Sequence, residues 1–99
     1  MRFEWDDEKN RINQRRHDGL AFETDAFVFN DPLAVFRKDR IVEGEQRWHA
    51  IGSALGAVLL VVHVYRVEDP NDEEENIRII SAREANKHER RIYFLQASE

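Results

Sequence analysis

The sequence predicts an α+β domain, a mostly antiparallel sheet packed by helices, in the order β-α-α-β-β-β-β-α. Two observations predict it most directly. Strand-like alternation or apolar runs follow one another from Leu33 to Ile80 with turn residues and no helical pattern between them, which points to sequential antiparallel strands. Helical periodicity and helix-end residues occur before and after that stretch. Ninety-nine residues, 41% hydrophobic and 35% charged, hold one shared core, so residues 1–99 read as a single domain.

The elements follow in order. Phe3-Glu4-Trp5 alternates apolar and polar side chains as a short edge strand does. Asp6 or Asp7 then caps a helix running to about His17, with acids in its first turn, Arg15, Arg16 and His17 in its last, and Gly19 as the left-handed stop. Ile12 is the only strongly hydrophobic residue inside that helix, so a thin apolar stripe helped by arginine stems is expected to hold it, with Arg11, Arg15 and Arg16 facing out. Phe22, Ala26 and Phe29 fall at helical spacing, giving a short buried helix over residues 22–29 that Asn30-Asp31-Pro32 ends.

Leu33 to Phe36 and Arg47 to Ile51 read as strands with a turn at Glu43-Gly44-Glu45. Leu59 to Arg66 is nearly continuous in apolar residues and reads as a central strand, with His63 and Tyr65 on one face and Leu60, Val62, Val64 and Arg66 on the other. Ile77 to Ile80 is the last strand. Ser81 and Glu84 then have the spacing of a capping box, which predicts a terminal helix with Ala85, His88, Ile92 and Leu95 inward and a basic stripe of Arg83, Lys87 and Arg90.

Composition narrows the function. The chain has no cysteine, which excludes disulfides, thiol chemistry and thiolate zinc sites. His17, His49, His63 and His88 show no short ligand spacing, so neither a metal site nor a cofactor is expected. The longest apolar run, Ala57 to Val62, is far short of the roughly 20 residues that span a bilayer, and the expectation is a soluble, cytoplasmic protein with no membrane partner. No phosphate-binding glycine loop, serine elbow or paired-carboxylate signal is present.

The net charge of −5 argues against nucleic acid at first sight, but its distribution matters more. Glu68, Asp69, Asp72, Glu73, Glu74 and Glu75 lie in one acidic loop around residues 68–76, and without those six acids the sum moves from −5 to +1. What remains is a chain with distributed arginines, each of which taken singly also fits an ordinary exposed charge. Cleavage of RNA requires no metal when the neighbouring 2′-hydroxyl attacks the phosphate, provided a base takes its proton, cations stabilise the charge and an acid protonates the leaving oxygen. Arg66 at a strand end, Arg78 on the next strand and Arg83 at the junction after it could converge on one phosphate, with a histidine such as His63 in a proton-transfer role. His63 also fits a satisfied core histidine.

Phe3-Glu4-Trp5-Asp6, Lys9, Asn13, His17, Gly19, Phe22, Val28-Phe29, Asp31-Pro32, Arg66 and Arg78-Ile79-Ile80-Ser81-Ala82-Arg83, with Ala85, Glu89, Arg90 and Tyr93, together resemble the BrnT toxin family over residues 3–93. The resemblance implies a type II toxin–antitoxin toxin with a fold similar to RelE-like ribonucleases, cleaving RNA and arresting translation and growth. It implies a BrnA-type ribbon-helix-helix antitoxin, through which alone the toxin would meet operator DNA. By motif match Arg83 is the leading catalytic candidate, supported by Arg66 and Arg78; Arg16, His17 and Lys87 are candidates for substrate binding. The chain departs from the family pattern at Arg16-His17-Asp18-Gly19, where the family has K-H-G, and in the length of its acidic loop. Two other readings compete: a catalytically weak antitoxin-binding module, and a nucleic-acid-binding domain without catalysis.

Overall fold

The computed structural model describes residues 1–67, 70–71 and 74–97. Four of the six acids of the expected loop, Glu68, Asp69, Asp72 and Glu73, lie outside the described residues. The elements are β1 (Arg2–Glu4), α1 (Asp7–Arg16), α2 (Phe22–Asp25) continued by a 3-10 helix (Ala26–Asn30), β2 (Val35–Val42), β3 (Glu45–Ala54), β4 (Ala57–Arg66), β5 (Asn76–Glu84) and α3 (Lys87–Ala97). Their order is the one the sequence predicts. They form a five-stranded sheet, β1-β5-β4-β3-β2, antiparallel except where β1 runs parallel to the start of β5. The β2–β3 and β3–β4 hairpins each turn on a pair of positive-φ residues, Glu43-Gly44 and Leu55-Gly56, the twist that two-residue connections require.

Two apolar layers sandwich the sheet. On one face Phe22 and Val28 pack against Ala50, Ala54, Leu59, Val61, Ile79 and Ala82, under α1, α2 and the 3-10 helix. On the other, Tyr93 and Ile92 of α3 cover Val35, Ile51, Val58, Leu60 and Val62, all towards the β3–β4 turn. The far end of that second face, where β4 finishes and β5 begins, is left uncovered by this cluster. It is the end that carries Arg66 and Arg78.

Several local expectations need correction. The Ser81–Glu84 spacing does not open a helix, because β5 continues through Glu84, pairing Ser81 with Val62 and Arg83 with Leu60. The helix starts five residues later with its own reciprocal box: the Glu89 amide donates to Asn86 Oδ1 at 2.8 Å and the Asn86 amide to Glu89 Oε1 at 2.9 Å. Arg83 and Ala85 therefore precede α3, while His88 and Leu95 are exposed and Tyr93 takes the inward position. The 22–29 helix tightens halfway, and its buried residues are Phe22, Asp25 and Val28, at the three-residue spacing of a 3-10 turn. β2 also begins later and runs further than Leu33 to Phe36, because the hairpin register with β3 carries it through Arg37 to Val42.

Asparagines, more than Ile12, seat α1. Asn10 Oδ1 accepts the Phe22 amide at 2.9 Å, Asn10 Nδ2 donates to Glu23 at 2.8 Å, and Asn13 Nδ2 donates to the Leu20 carbonyl at 3.1 Å. Asn13 Oδ1 accepts the Ala82 amide at 3.1 Å, satisfying a donor on the edge of β5 that β1 does not reach. Leaving such a buried amide unpaired costs about 1–3 kcal/mol, so the polar face of α1 is a structural requirement.

Candidate functional site

A one-residue bulge in β5 decides where its arginines point. His63 pairs with Ile79 and Val62 with Ser81, so Ile80 is the extra residue and the alternation flips across it. Ile77, Ile79 and Ala82 thereby share the first face of the sheet, while Arg78, Ser81 and Arg83 share the second with Leu60, Val62 and Val64. Without the bulge Arg78 and Arg83 would lie on opposite faces.

On the second face Arg66, Arg78 and Glu4 meet. The register sets Glu4 beside Arg78 and Arg78 beside Val64, two residues from Arg66. Glu4 Oε1 lies 3.8 Å from Arg66 Nη1 and 3.9 Å from Arg78 Nη1, and Glu45 Oε2 lies 3.4 Å from Arg66 Nε. Among the described residues neither guanidinium makes a hydrogen bond, and Glu4 Oε1 and Arg66 Nε are buried atoms without a hydrogen-bond partner. Arg47 alternates onto this same face two residues before His49, and His49 Nε2 in turn contacts Asp39 at 3.1 Å. Two cations thus hold one carboxylate loosely, with donors still available for a second anion.

Arg83 is placed differently. It stands five residues beyond Arg78 along β5, its backbone roughly 16 Å away at about 3.3 Å per residue, and it is paired with a different carboxylate. Its guanidinium donates through both Nη atoms to Glu89 at 2.7 and 2.8 Å. That pair holds the Glu89 carboxyl below its ordinary range and the Arg83 guanidinium above its own. Since Glu89 also caps α3, Arg83 ties the end of β5 to the start of that helix.

Arg83 nevertheless borders a cleft. Arg16, His17 and Asp18 at the end of α1 face Arg83 and Glu84 across a space of about 230 Å³. A second cleft of about 410 Å³ shares Arg16 and His17 and adds Lys9, Ile12, Asn13, Ile80 and Ser81. The two run along the part of β5 that β1 leaves unpaired. Lys87 lies apart from them, beside His88 and Arg91 in an apolar recess on α3.

His63 is fully buried on the opposite face from Arg66, among Phe29, Phe36 and Tyr65 with ring centroids 4.8–6.2 Å away. Burial pushes its pKa down to about 4, against a weak contact from Nδ1 to the Val61 carbonyl. It is a neutral core ring at pH 7. Asp25 is likewise fully buried with neither oxygen hydrogen-bonded, and burial, with Glu23 nearby, pushes it up to about 7. Asp31 links three segments: it accepts from Tyr93 Oη at 2.6 Å and from the Ser53 and Leu33 amides at 2.8 and 2.9 Å. That contact, with burial, raises the Tyr93 hydroxyl to about 12.

The structure therefore brings together Arg66 with Arg78, and Arg16 with His17 and Arg83, but not all of them at one point. Sequence reasoning missed Glu4, Glu45 and Arg47. Glu4 had two signals, its polar position in the alternation of Phe3-Glu4-Trp5 and its place in the Phe3-Glu4-Trp5-Asp6 motif of the resemblance, and neither gives its chemistry. Among the described residues no group of histidines and acids is arranged to hold a metal, and no helix is long and apolar enough to cross a membrane.

A family model described as the ribonuclease toxin BrnT of type II toxin–antitoxin systems matches residues 5–89. No curated protein matches the chain.

Proposed function

This chain belongs to the BrnT family of ribonuclease toxins, which act with an antitoxin partner, and on that premise we propose that Arg66 and Arg78 bind the scissile phosphate in a metal-independent cleavage of RNA. The observation that carries this reading is the convergence of the two guanidiniums on Glu4. Cations held on rigid strands, with donors not already spent, are what an anionic phosphorane-like transition state requires. The neighbouring 2′-hydroxyl attacks phosphorus, the P–O5′ bond breaks, and a 2′,3′-cyclic phosphate and a free 5′-hydroxyl result.

Arg16, His17 and Arg83 take the flanking backbone in this reading, along the clefts beside β5. Arg83 acts there as much by fixing α3 as by touching RNA, and Lys87 extends the basic surface at the start of that helix. His63 supports the site by packing. The partner is a BrnA-type ribbon-helix-helix antitoxin that covers this surface and makes the DNA contacts of the complex, in the cytoplasm, where RNA cleavage arrests translation and growth.

The test is cleavage of a defined RNA oligonucleotide by the purified toxin. Cleavage is expected to persist in EDTA, to yield a cyclic phosphate end, and to vanish when the nucleotide 5′ of the scissile bond is 2′-deoxy. Loss of cleavage in EDTA, or undiminished cleavage of the deoxy substrate, would overturn the mechanism.

A further inference from the structure

We propose that Glu4 is the general base of the reaction, an inference that rests on the placement of the scissile phosphate at Arg66 and Arg78. An ion pair that served only to join strands would be expected to close to hydrogen-bonding distance. Here Glu4 Oε1 stands 3.8 and 3.9 Å from the two guanidiniums and accepts no hydrogen bond, although the atom is buried. Among the described residues this oxygen is an unused acceptor beside two guanidiniums that make no hydrogen bond.

The arrangement has the parts a 2′-hydroxyl attack needs. A phosphate bridging Arg66 and Arg78 sits next to the carboxylate that both already contact, so the hydroxyl one bond removed from that phosphodiester comes within its reach. The Glu4 carboxylate takes the 2′-proton as the oxygen forms its bond to phosphorus. The P–O5′ bond then breaks, the departing 5′-oxygen takes a proton from water, and the Glu4 carboxyl returns its proton to solvent. The guanidiniums turn to the phosphorane as negative charge develops there.

Position supports the assignment as well. Glu4 lies in β1, a three-residue strand paired in parallel with Asn76 to Arg78, so its side chain is fixed relative to Arg78 by the register. The side chain remains about one-third exposed, which leaves it open to a ligand over the sheet face. Among the described residues Glu45 reaches Arg66 and not Arg78, and Glu4 is the carboxylate within ion-pair distance of both cations.

Single-turnover cleavage of an RNA oligonucleotide in EDTA across a pH series tests the role, using the wild type, Glu4→Gln and Glu4→Ala. Glu4→Gln is expected to lose roughly 10²–10⁴-fold in rate, with RNA affinity and the unfolding midpoint close to wild type, and to lose the rising limb of the pH–rate profile. Added formate is expected to restore cleavage to Glu4→Ala in proportion to its concentration, a response that a purely structural carboxylate would not give. A Glu4→Gln rate within about threefold of wild type at every pH, or a loss that formate leaves unchanged and that follows RNA affinity, overturns the assignment. Where wild type cleaves normally and Arg66→Ala and Arg78→Ala also cleave normally, the placement of the phosphate fails first, and the role of Glu4 fails with it.

Discussion

An Arg78→Ala variant is expected to cleave RNA roughly 10²–10³-fold more slowly than the wild type while folding normally. The rate effect follows from the loss of one of two cations aimed at the same anion. Stability should change little, because the guanidinium makes no hydrogen bond among the described residues and its contact with Glu4 is 3.9 Å. A partly exposed ion pair of that length is worth at most about 1 kcal/mol. Single-turnover kinetics and thermal unfolding on the same preparation separate the two quantities. Arg83→Ala should behave in the opposite sense, since its bidentate partner Glu89 is largely buried and caps α3. A lost rate in Arg83→Ala therefore identifies a catalytic residue only if the fold survives.

The second large effect concerns two buried groups that titrate against each other. Asp25 rises from an ordinary value of 3.8 to about 7, so the native state binds a proton that the unfolded chain releases, and stability falls as pH climbs between those values. The gap corresponds to roughly 4 kcal/mol. His63 falls from 6.5 to about 4, so the unfolded chain binds the extra proton and stability rises as pH climbs between about 4 and 6.5, by roughly 3 kcal/mol. The two slopes oppose each other over the same window. Denaturant unfolding of the wild type should therefore be nearly level from about pH 4 to 6.5, whereas Asp25→Asn should gain stability across it and His63→Gln should lose it. Parallel curves for all three proteins would contradict the burial of both groups. Below that window Asp31 and Glu89, both held low, add a common loss as acid protonates them.

The parts of the fold legible in the sequence were those set by local pattern. Alternation in Phe3-Glu4-Trp5, the Asp6 cap and dipolar ends of α1, the apolar run of β4 and its division into two faces all reappear in the structure. The end of β5 was not legible for two physical reasons. A bulge has no compositional signature, so strict alternation would set Arg78 and Arg83 on opposite faces. A capping box is a short polar spacing that a strand also tolerates, and Ser81–Glu84 competes with Asn86–Glu89 a few residues on, where the reciprocal bonds form. Hydrophobic periodicity could not reveal that α1 docks through Asn10 and Asn13, because its attachment is made of hydrogen bonds.

The site divides along the same line. That arginines on β4 and β5 are candidates for the chemistry followed from their strand positions and from the full-length family resemblance. Their grouping did not, because it depends on cross-strand register and on a carboxylate 62 residues away in the chain from Arg66 and 74 from Arg78. Register places Glu4 beside Arg78 and sets Arg83 five residues further along β5, opposite Leu60.

The most direct measurement compares Arg66→Ala with Arg16→Ala on one RNA, reading the single-turnover rate at saturation together with the salt dependence of binding. Arg66→Ala is expected to lose roughly 10²–10³-fold in rate at saturation, and Arg16→Ala to keep its rate while its affinity falls and its log–log salt slope drops by about 1. A normal saturating rate in Arg66→Ala, with the chemical step lost in Arg16→Ala, would move the scissile phosphate to the cleft beside α1 and contradict the placement on the sheet face.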